Sequence, residues 1–391
     1  MSDPVVIVGI SRTPMGGMQG MFAGLSSIEL GAKAIEGALA DAGVAADDVD
    51  EVLMGCVLPA GLGQAPARQA ALKAGVPVHA PCTTVNKVCG SGMKTVMMAH
   101  DAILTGSASI VVAGGMESMT NAPYLVPQGR SGYRFGHAQI WDHMLYDGLQ
   151  DPYSGNPMGL FGELCADHFG FTREDQDEFA IGSLNRANDA IAAGKFKREI
   201  TPVTVTSRKG EAVIDTDEQP GNAKIDKIPT LKPAFKKDGT VTPANASSIS
   251  DGAAALVLMR KSEAEKRGLK VLATIKGHSQ FAQEPAWFTT APVGAFTKLY
   301  DRLGWTSDSV DLYEVNEAFA VVPMAAMKEL NIPRDKMNVH GGACALGHPL
   351  GASGARILVT LLAALETYDL KTGMAGICLA GGEATAVAIE R

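Results

Sequence analysis

Four side chains in this 391-residue chain stand where chemistry would need them. Cys89 lies in Val88-Cys-Gly-Ser-Gly92, where an apparent coil runs into a helix between residues small enough to let a substrate approach the backbone. A helix N-terminus favours thiolate over thiol, so this placement predicts a nucleophile with a lowered pKa. The bland alternative is a small buried cysteine beside a turn. His348 sits in Gly341-Gly-Ala-Cys-Ala-Leu-Gly-His-Pro-Leu-Gly-Ala-Ser-Gly354, a stretch too rich in glycine for an ordinary helix or strand. On a rigid loop beside proline it suits a base that activates a thiol, or else it caps the next helix. Cys378 closes an apolar run just before Ala380-Gly-Gly382, which predicts the C-terminal edge of a strand, where open α/β sheets place their ligands. Its alternative is a core cysteine. Asn316 opens Asn316-Glu-Ala-Phe-Ala320 at a predicted helix start, either as a plain N-cap or as an amide that holds a water or a carbonyl oxygen.

These side chains need a frame, and the pattern around them is α/β with largely parallel strands. Residues 5–8, 51–54 and 109–113 are short, apolar and followed by glycine, as strands of such a sheet would be. Residues 28–40 and 93–104 repeat apolar positions at helical spacing, the first stopping near Gly43. Residues 121–246 break the rhythm with aromatics, prolines and charge, and are expected to be an insertion over the main sheet. Afterwards the rhythm returns, with a strand over 254–259 and another over 311–315 that leads into a helix near Asn316. Ile110-Val-Val-Ala-Gly-Gly-Met-Glu117 and Ile377-Cys-Leu-Ala-Gly-Gly-Glu383 echo one another, which suggests two repeats of one fold.

Composition narrows the function further. Hydrophobic residues make up 46% and charged residues 19%, which argues for packed units and against disorder. Apolar runs are broken by Gly, Pro or charge, so none is expected to reach the roughly 18 residues of a membrane span, and the chain opens with no basic stretch ahead of its first apolar run. A soluble protein without a membrane partner is expected. A net charge of −8 argues against nucleic acid, although residues 195–237 carry ten Lys/Arg against six Asp/Glu, an excess that suits a phosphate-bearing ligand. The six cysteines form no CxxC pair and have no histidine at finger-like spacing, so no metal site is expected. Free thiols point to a reducing compartment, the cytoplasm. The first strand is followed by no dinucleotide fingerprint, which counts against a nicotinamide dehydrogenase.

Taken together, Asn86-Lys-Val-Cys-Gly-Ser-Gly-Met93, Ala113-Gly-Gly-Met-Glu117, Asn316-Glu-Ala-Phe-Ala320, the 341–354 stretch and the Cys378 segment closely resemble the thiolase family over the whole chain. The resemblance implies two similar α/β domains stacked as a five-layered αβαβα thiolase fold with an inserted loop domain. Its boundaries would be 1–120 plus 247–270 for the first domain, 121–246 for the insert and 271–391 for the second. The implied activity is acyl-CoA C-acetyl transfer: condensation of two acetyl-CoA to acetoacetyl-CoA and CoA, or thiolysis of a 3-ketoacyl-CoA, with CoA thioesters as substrates and no resident cofactor. Cys89 would carry the acyl group, His348 take its proton, and Cys378 remove a proton from the acetyl methyl. His348 and a water on Asn316 would steady the enolate, while the amides of Cys89 and Ala380 would hold the oxyanion. The pantetheine arm would lie against Leu149, Met158, Phe235, Ala246, Ser247, Ala318 and Phe319, with the basic excess at the CoA phosphates.

The resemblance further implies a homotetramer, a dimer of dimers, with Gly129-Arg-Ser-Gly-Tyr-Arg-Phe135 as a loop able to bridge subunits. Four features depart from the family pattern: Ala380 where glycine is frequent, Pro157 where short-chain members carry histidine, Phe288 where methionine is common, and the Gly221-Asn222 region, which lacks an arginine often used on the nucleotide. The neighbouring ketoacyl synthases pair their cysteine with two histidines, whereas this chain offers Asn316 and Cys378.

Overall fold

The computed structural model describes residues 3–208 and 210–391; Met1, Ser2 and Lys209, the last within the basic stretch, lie outside the described residues. The first half consists of β1 (Val5–Arg12), α1 (Ser27–Ala42), β2 (Glu51–Gly55), β3 (Cys82–Val85), α2 (Ser91–Thr105) and β4 (Ile110–Ser118). Residues 119–249 follow without adding a strand to the main sheet; they carry small hairpins and the helices α3 (Gly159–Phe169) and α4 (Arg173–Ala192). Strand β5 (Ser250–Arg260) then closes the first half. The second contains β6 (Ala273–Ala282), α5 (Ala291–Leu303), β7 (Leu312–Val315), α6 (Val321–Leu330), α7 (Leu350–Thr367), β8 (Thr372–Leu379) and β9 (Glu383–Glu390).

The two halves repeat one strand plan. In the first, β3, β2 and β4 run parallel, and β5 and then β1 add antiparallel. In the second, β7 and β8 run parallel, and β9 and then β6 add antiparallel. A single parallel bridge from Tyr313 to Met337 stands where the fifth strand would be. The halves join through a short register, Val6 with Thr274 and Ile7 with Ala273.

The repeat is therefore real in topology, but the echo read from the letters is out of register. Ala113, Gly114 and Gly115 are strand residues paired with Leu256, Ala255 and Ala254. Ala380-Gly381-Gly382 is instead a turn, with φ of +89° and +84° at its glycines.

Alternation along the strands explains the layers. Val5 and Ile7 point to a central core shared with α2 and α7, while Val6 and Val8 point to an outer core under α1. Val387 and Ile389 of β9 face the same central core, and Ala384, Ala386 and Ala388 face an outer one with α5 and α6. At about 1.5–3 kcal/mol for burying each such side chain, a one-residue slip of either strand would forfeit much of a layer. Helix α1 is bounded by a Ser26/Glu29 capping box and by Gly43 in the left-handed region, which satisfy end groups the helix cannot.

Helix α7 corrects one expectation. It is long and apolar enough to cross a membrane by length and composition, and it lies buried against the strands of both halves, with every residue from Leu350 to Leu365 out of solvent. It crosses α2 at very short range: a Cβ on Gly92 would stand 2.8 Å from the Gly351 carbonyl oxygen, and one on Gly354 would stand 2.4 Å from the Met93 amide nitrogen. The glycines in the first turns of both helices thus let their N-terminal ends nearly touch.

Candidate active site

That crossing brings two loops together. Cys89 and His348 each lie two residues ahead of an inner helix, α2 and α7 respectively. The Cys89 loop is held by its own polar groups: Asn86 Oδ1 accepts from Val88 N–H at 2.9 Å, Ser91 Oγ accepts from Lys87 N–H at 2.8 Å and donates to the Val88 carbonyl at 2.6 Å. The loop forces Val88, a β-branched residue, to φ +46°, a local strain concentrated beside the thiol. Gly90 lies against Leu379 at the end of β8, which carries the Cys378 loop to the same place. Lys87 and Glu383 join the two loops with an ion pair of 2.5 Å.

Electrostatics overturns one expectation. The helix ahead of Cys89 starts only at Ser91, and burial, with the nearby Glu117 carboxylate adding to it, pushes the Cys89 thiol up to about 12. The backbone amides of Cys89 and Ala380 face the thiol and favour its thiolate, but desolvation wins. Cys378 is buried beside Cys89, and both facts raise its thiol well above the ordinary value. Ala380 keeps a negative φ, so its amide stays available despite the added methyl.

His348 is buried and falls to about 3, first through burial and then through the nearby Arg356 guanidinium. Ser353 Oγ donates to the Pro349 carbonyl at 2.9 Å, so it must accept from His348 Nδ1 at 2.5 Å. The proton therefore sits on Nδ1, and Nε2, which has no partner among the described residues, keeps a free lone pair. Helix α7 has Pro349 as its N-cap residue, with no side-chain cap, so His348 does not cap it.

Asn316 also differs from expectation. It is no N-cap, since α6 starts at Val321; the residue continues from β7, its N–H donating to the Gly376 carbonyl at 3.0 Å. Both polar atoms of its side chain are buried and have no partner among the described residues, an expense a protein seldom bears without a ligand or water there.

All seven residues expected along the pantetheine arm (Leu149, Met158, Phe235, Ala246, Ser247, Ala318 and Phe319) line one cavity of about 390 Å³ that also reaches His348 and Leu350. Pro157 lines it too, and Phe288 packs edge-on against Phe319 behind it. A second depression, carrying Lys224 and Lys227, shares Pro243 and Ser248 with this cavity.

Two bracing residues were missed from the sequence. Glu117, at the end of β4, accepts from the amides of Val57 at 2.9 Å, Leu58 at 3.1 Å and Gly351 at 2.8 Å, while burial lifts its carboxyl to about 7. It ties the loop after β2 to the start of α7. Glu317 accepts from Ser183 Oγ at 2.7 Å, Asn338 Nδ2 at 2.9 Å and the Cys344 amide at 3.0 Å, and so anchors the segment beside Asn316 to the glycine-rich stretch. A lone acid inside an otherwise apolar run was the signal available for Glu117; Glu317, with Glu314 and Asn316 close by in sequence, gave no such signal.

Similarity to known proteins agrees with this geometry. Residues 5–262 match the family described as "Thiolase, N-terminal domain" and residues 269–391 that described as "Thiolase, C-terminal domain". Acetyl-CoA acetyltransferase 2 of Arabidopsis thaliana is 52% identical over 389 residues, spanning 99% of this chain and 96% of that protein. Acetyl-CoA acetyltransferase of Cupriavidus necator is 49% identical, with both chains covered in full. Among solved structures, the Acat5 thiolase from Ascaris suum in complex with coenzyme A superposes with a TM-score of 0.94 at 41% identity, covering 99% of this chain and 100% of that one. The strand plan repeated across two halves, the layers on either side of α2 and α7, and these full-length matches establish that this chain belongs to the thiolase family.

Proposed function

We propose that this thiolase is an acyl-CoA C-acetyltransferase that joins two acetyl-CoA into acetoacetyl-CoA and CoA, and runs the reverse thiolysis, through an acyl group on Cys89. The observation that carries the reading is the convergence of three neutral groups: a buried His348 with its lone pair on Nε2 lines the apolar cavity, a half-buried Cys89 packs against the cluster that holds the cavity residue Leu350, and the buried Cys378 lies beside Cys89.

Cys89 Sγ attacks the thioester carbonyl as its proton passes to His348 Nε2, and the oxyanion takes the amides of Cys89 and Ala380. Collapse expels CoA thiolate, which is protonated by Cys378. The Cys378 thiolate left behind is a strong base because its environment resists charge, and it removes a methyl proton from the second acetyl-CoA. Protonated His348 and Asn316 steady the enolate oxygen. The enolate carbon then attacks the acyl group, and the released Cys89 thiolate recovers its proton from His348. Protons and electron pairs balance with no further reactant. A thiol raised by burial serves this cycle well, since it holds its proton until a substrate is in place.

The cavity supports a pantetheine arm at its seven lining residues and CoA phosphates toward Lys224 and Lys227. The boundaries 1–120 with 247–270, 121–246 and 271–391 divide the labour in this reading, with the insert supplying the outer wall. Phe135 is fully exposed and Ile140 and Tyr124 largely so, which supports a homotetramer built through this loop; sedimentation at micromolar concentration would return a monomer if that is wrong. Six free thiols suit the cytoplasm, and cell fractionation checks it.

Incubation with acetyl-CoA followed by intact-mass measurement tests the central reading. One acetyl adduct should form on the natural protein and none on Cys89→Ser; an adduct persisting in the variant would assign the nucleophile elsewhere.

A further inference from the structure

Ten residues beyond the start of α2, well along the helix from Cys89, a second group of ligand-type side chains spans the two halves. His100 and Asp101 of α2 meet His278 of β6. His278 Nε2 stands 2.9 Å from Asp101 Oδ1, and His100 Nδ1 stands 3.3 Å from the same oxygen. All three donor atoms lie within 4.8 Å of one another. The two imidazole rings sit edge to face with centroids 5.1 Å apart.

Packing, not solvent, holds the rings: the side chains of His100 and His278 are 13% and 17% exposed, while Asp101 at 57% leaves one side open. Two imidazoles and one carboxylate, with an open fourth position, are the donor set of a tetrahedral zinc-type ion. Calcium and magnesium prefer oxygen ligands alone. Bonds of about 2.0–2.2 Å place tetrahedral ligand atoms roughly 3.3–3.5 Å apart, so the Asp101 contacts need to open by a few tenths of an ångström and the two ring nitrogens to close up.

We propose that His100 Nδ1, Asp101 Oδ1 and His278 Nε2 form a site for a divalent transition ion of the zinc class, which pins α2 of the first half to β6 of the second. Two arginines stand close, Arg260 acting on His100 and Arg302 bonding the His278 carbonyl at 2.8 Å. Their charge opposes a cation and weakens its binding. At 1.5 Å per residue the site lies roughly 15 Å along α2 from the start of the helix beside Cys89, so it staples the halves and takes no part in acyl transfer.

The test uses the full chain stripped with a chelator and titrated with Co²⁺ and Zn²⁺. Expected are one equivalent of Co²⁺ with the visible d–d bands of a nitrogen and oxygen site, no thiolate charge-transfer band, and a melting temperature that rises with free Zn²⁺. In both His278→Gln and Asp101→Asn the affinity should fall at least tenfold and the Zn²⁺-dependent rise should vanish, while metal-free acetyl transfer is unchanged. No binding at 100-fold above micromolar metal, thiolate bands in the Co²⁺ spectrum, or undiminished affinity in both variants would overturn the proposal. Because acyl transfer is measured separately, a failure here leaves the Cys89 chemistry untouched.

Discussion

The two halves share a strand plan and differ in what they place at matching points of it. Two residues before the inner helix the first half puts Cys89 and the second puts His348; at the ends of β4 and β8 stand Glu117 and Cys378. The matching loops meet because glycines let α2 and α7 cross at their tips. In the proposed reading, one frame used twice presents a nucleophile and its base to each other, and it sets a bracing carboxylate at the strand end that matches the one carrying the second base. The surrounding backbones differ as well: Cys89 rides on a strained turn fastened by side chains, whereas Cys378 sits in a regular ladder opposite Ala384.

The largest test of this contrast is Cys378→Ala. Acetylation of Cys89 should survive, since it relies on His348 and the backbone amides, but exchange of the acetyl methyl protons with deuterated water, followed by NMR, should slow roughly 100- to 10,000-fold. Unchanged exchange would return Cys378 to the status of a core residue. Ser353→Ala comes next, because it removes the acceptor that keeps the His348 proton on Nδ1. At about 1–3 kcal/mol for an orphaned buried group, acylation should slow by about fivefold to 150-fold with KM little altered; a change in KM alone would deny the serine this role.

The frame itself can be strained at Gly92→Ala, whose new methyl meets the Gly351 carbonyl and the Ala355 amide. Overpacking of that kind should cost about 1–3 kcal/mol of stability in denaturant titration, and a neutral result would show that the helices can part. Acid should expose the buried base as well: His348 falls from an unfolded value of 6.5 to about 3, so the unfolded chain binds the extra proton between those values. The stability it contributes is present above pH 6.5 and is lost as pH falls from there toward 3. His348→Asn should flatten the acid limb of a stability profile, and an unchanged limb would assign it to other groups. Least is expected of Lys87→Met, because a partly exposed ion pair contributes about 0.2–1 kcal/mol. A loss of methyl exchange larger than that in Lys87→Met would mean that the link to Glu383 sets the spacing of the two cysteine loops.

Much of the site could be read from sequence because its parts are local. Glycine beside a thiol, the 341–354 loop, and the apolar run ending at Cys378 each declare a backbone that must be approached closely, and the seven cavity residues followed from the family resemblance. The α/β class and the interruption near 121–246 were legible for the same reason, through period and composition. What remained hidden depends on residues far apart in the chain: Glu117 meets Gly351 across 234 positions, and His100 finds His278 only because β6 returns beside the first half. Charge was hidden too. A helix start predicts a more acidic Cys89, but the tertiary fold leaves the residue only half exposed, crowds its thiol with protein and sets a carboxylate near it, and desolvation outweighs a pair of amide dipoles. Sequence alone determined which side chains could react and in what order they occur. Only the packed structure decided that they meet, and that they do so uncharged, because burial and proximity belong to the folded chain as a whole.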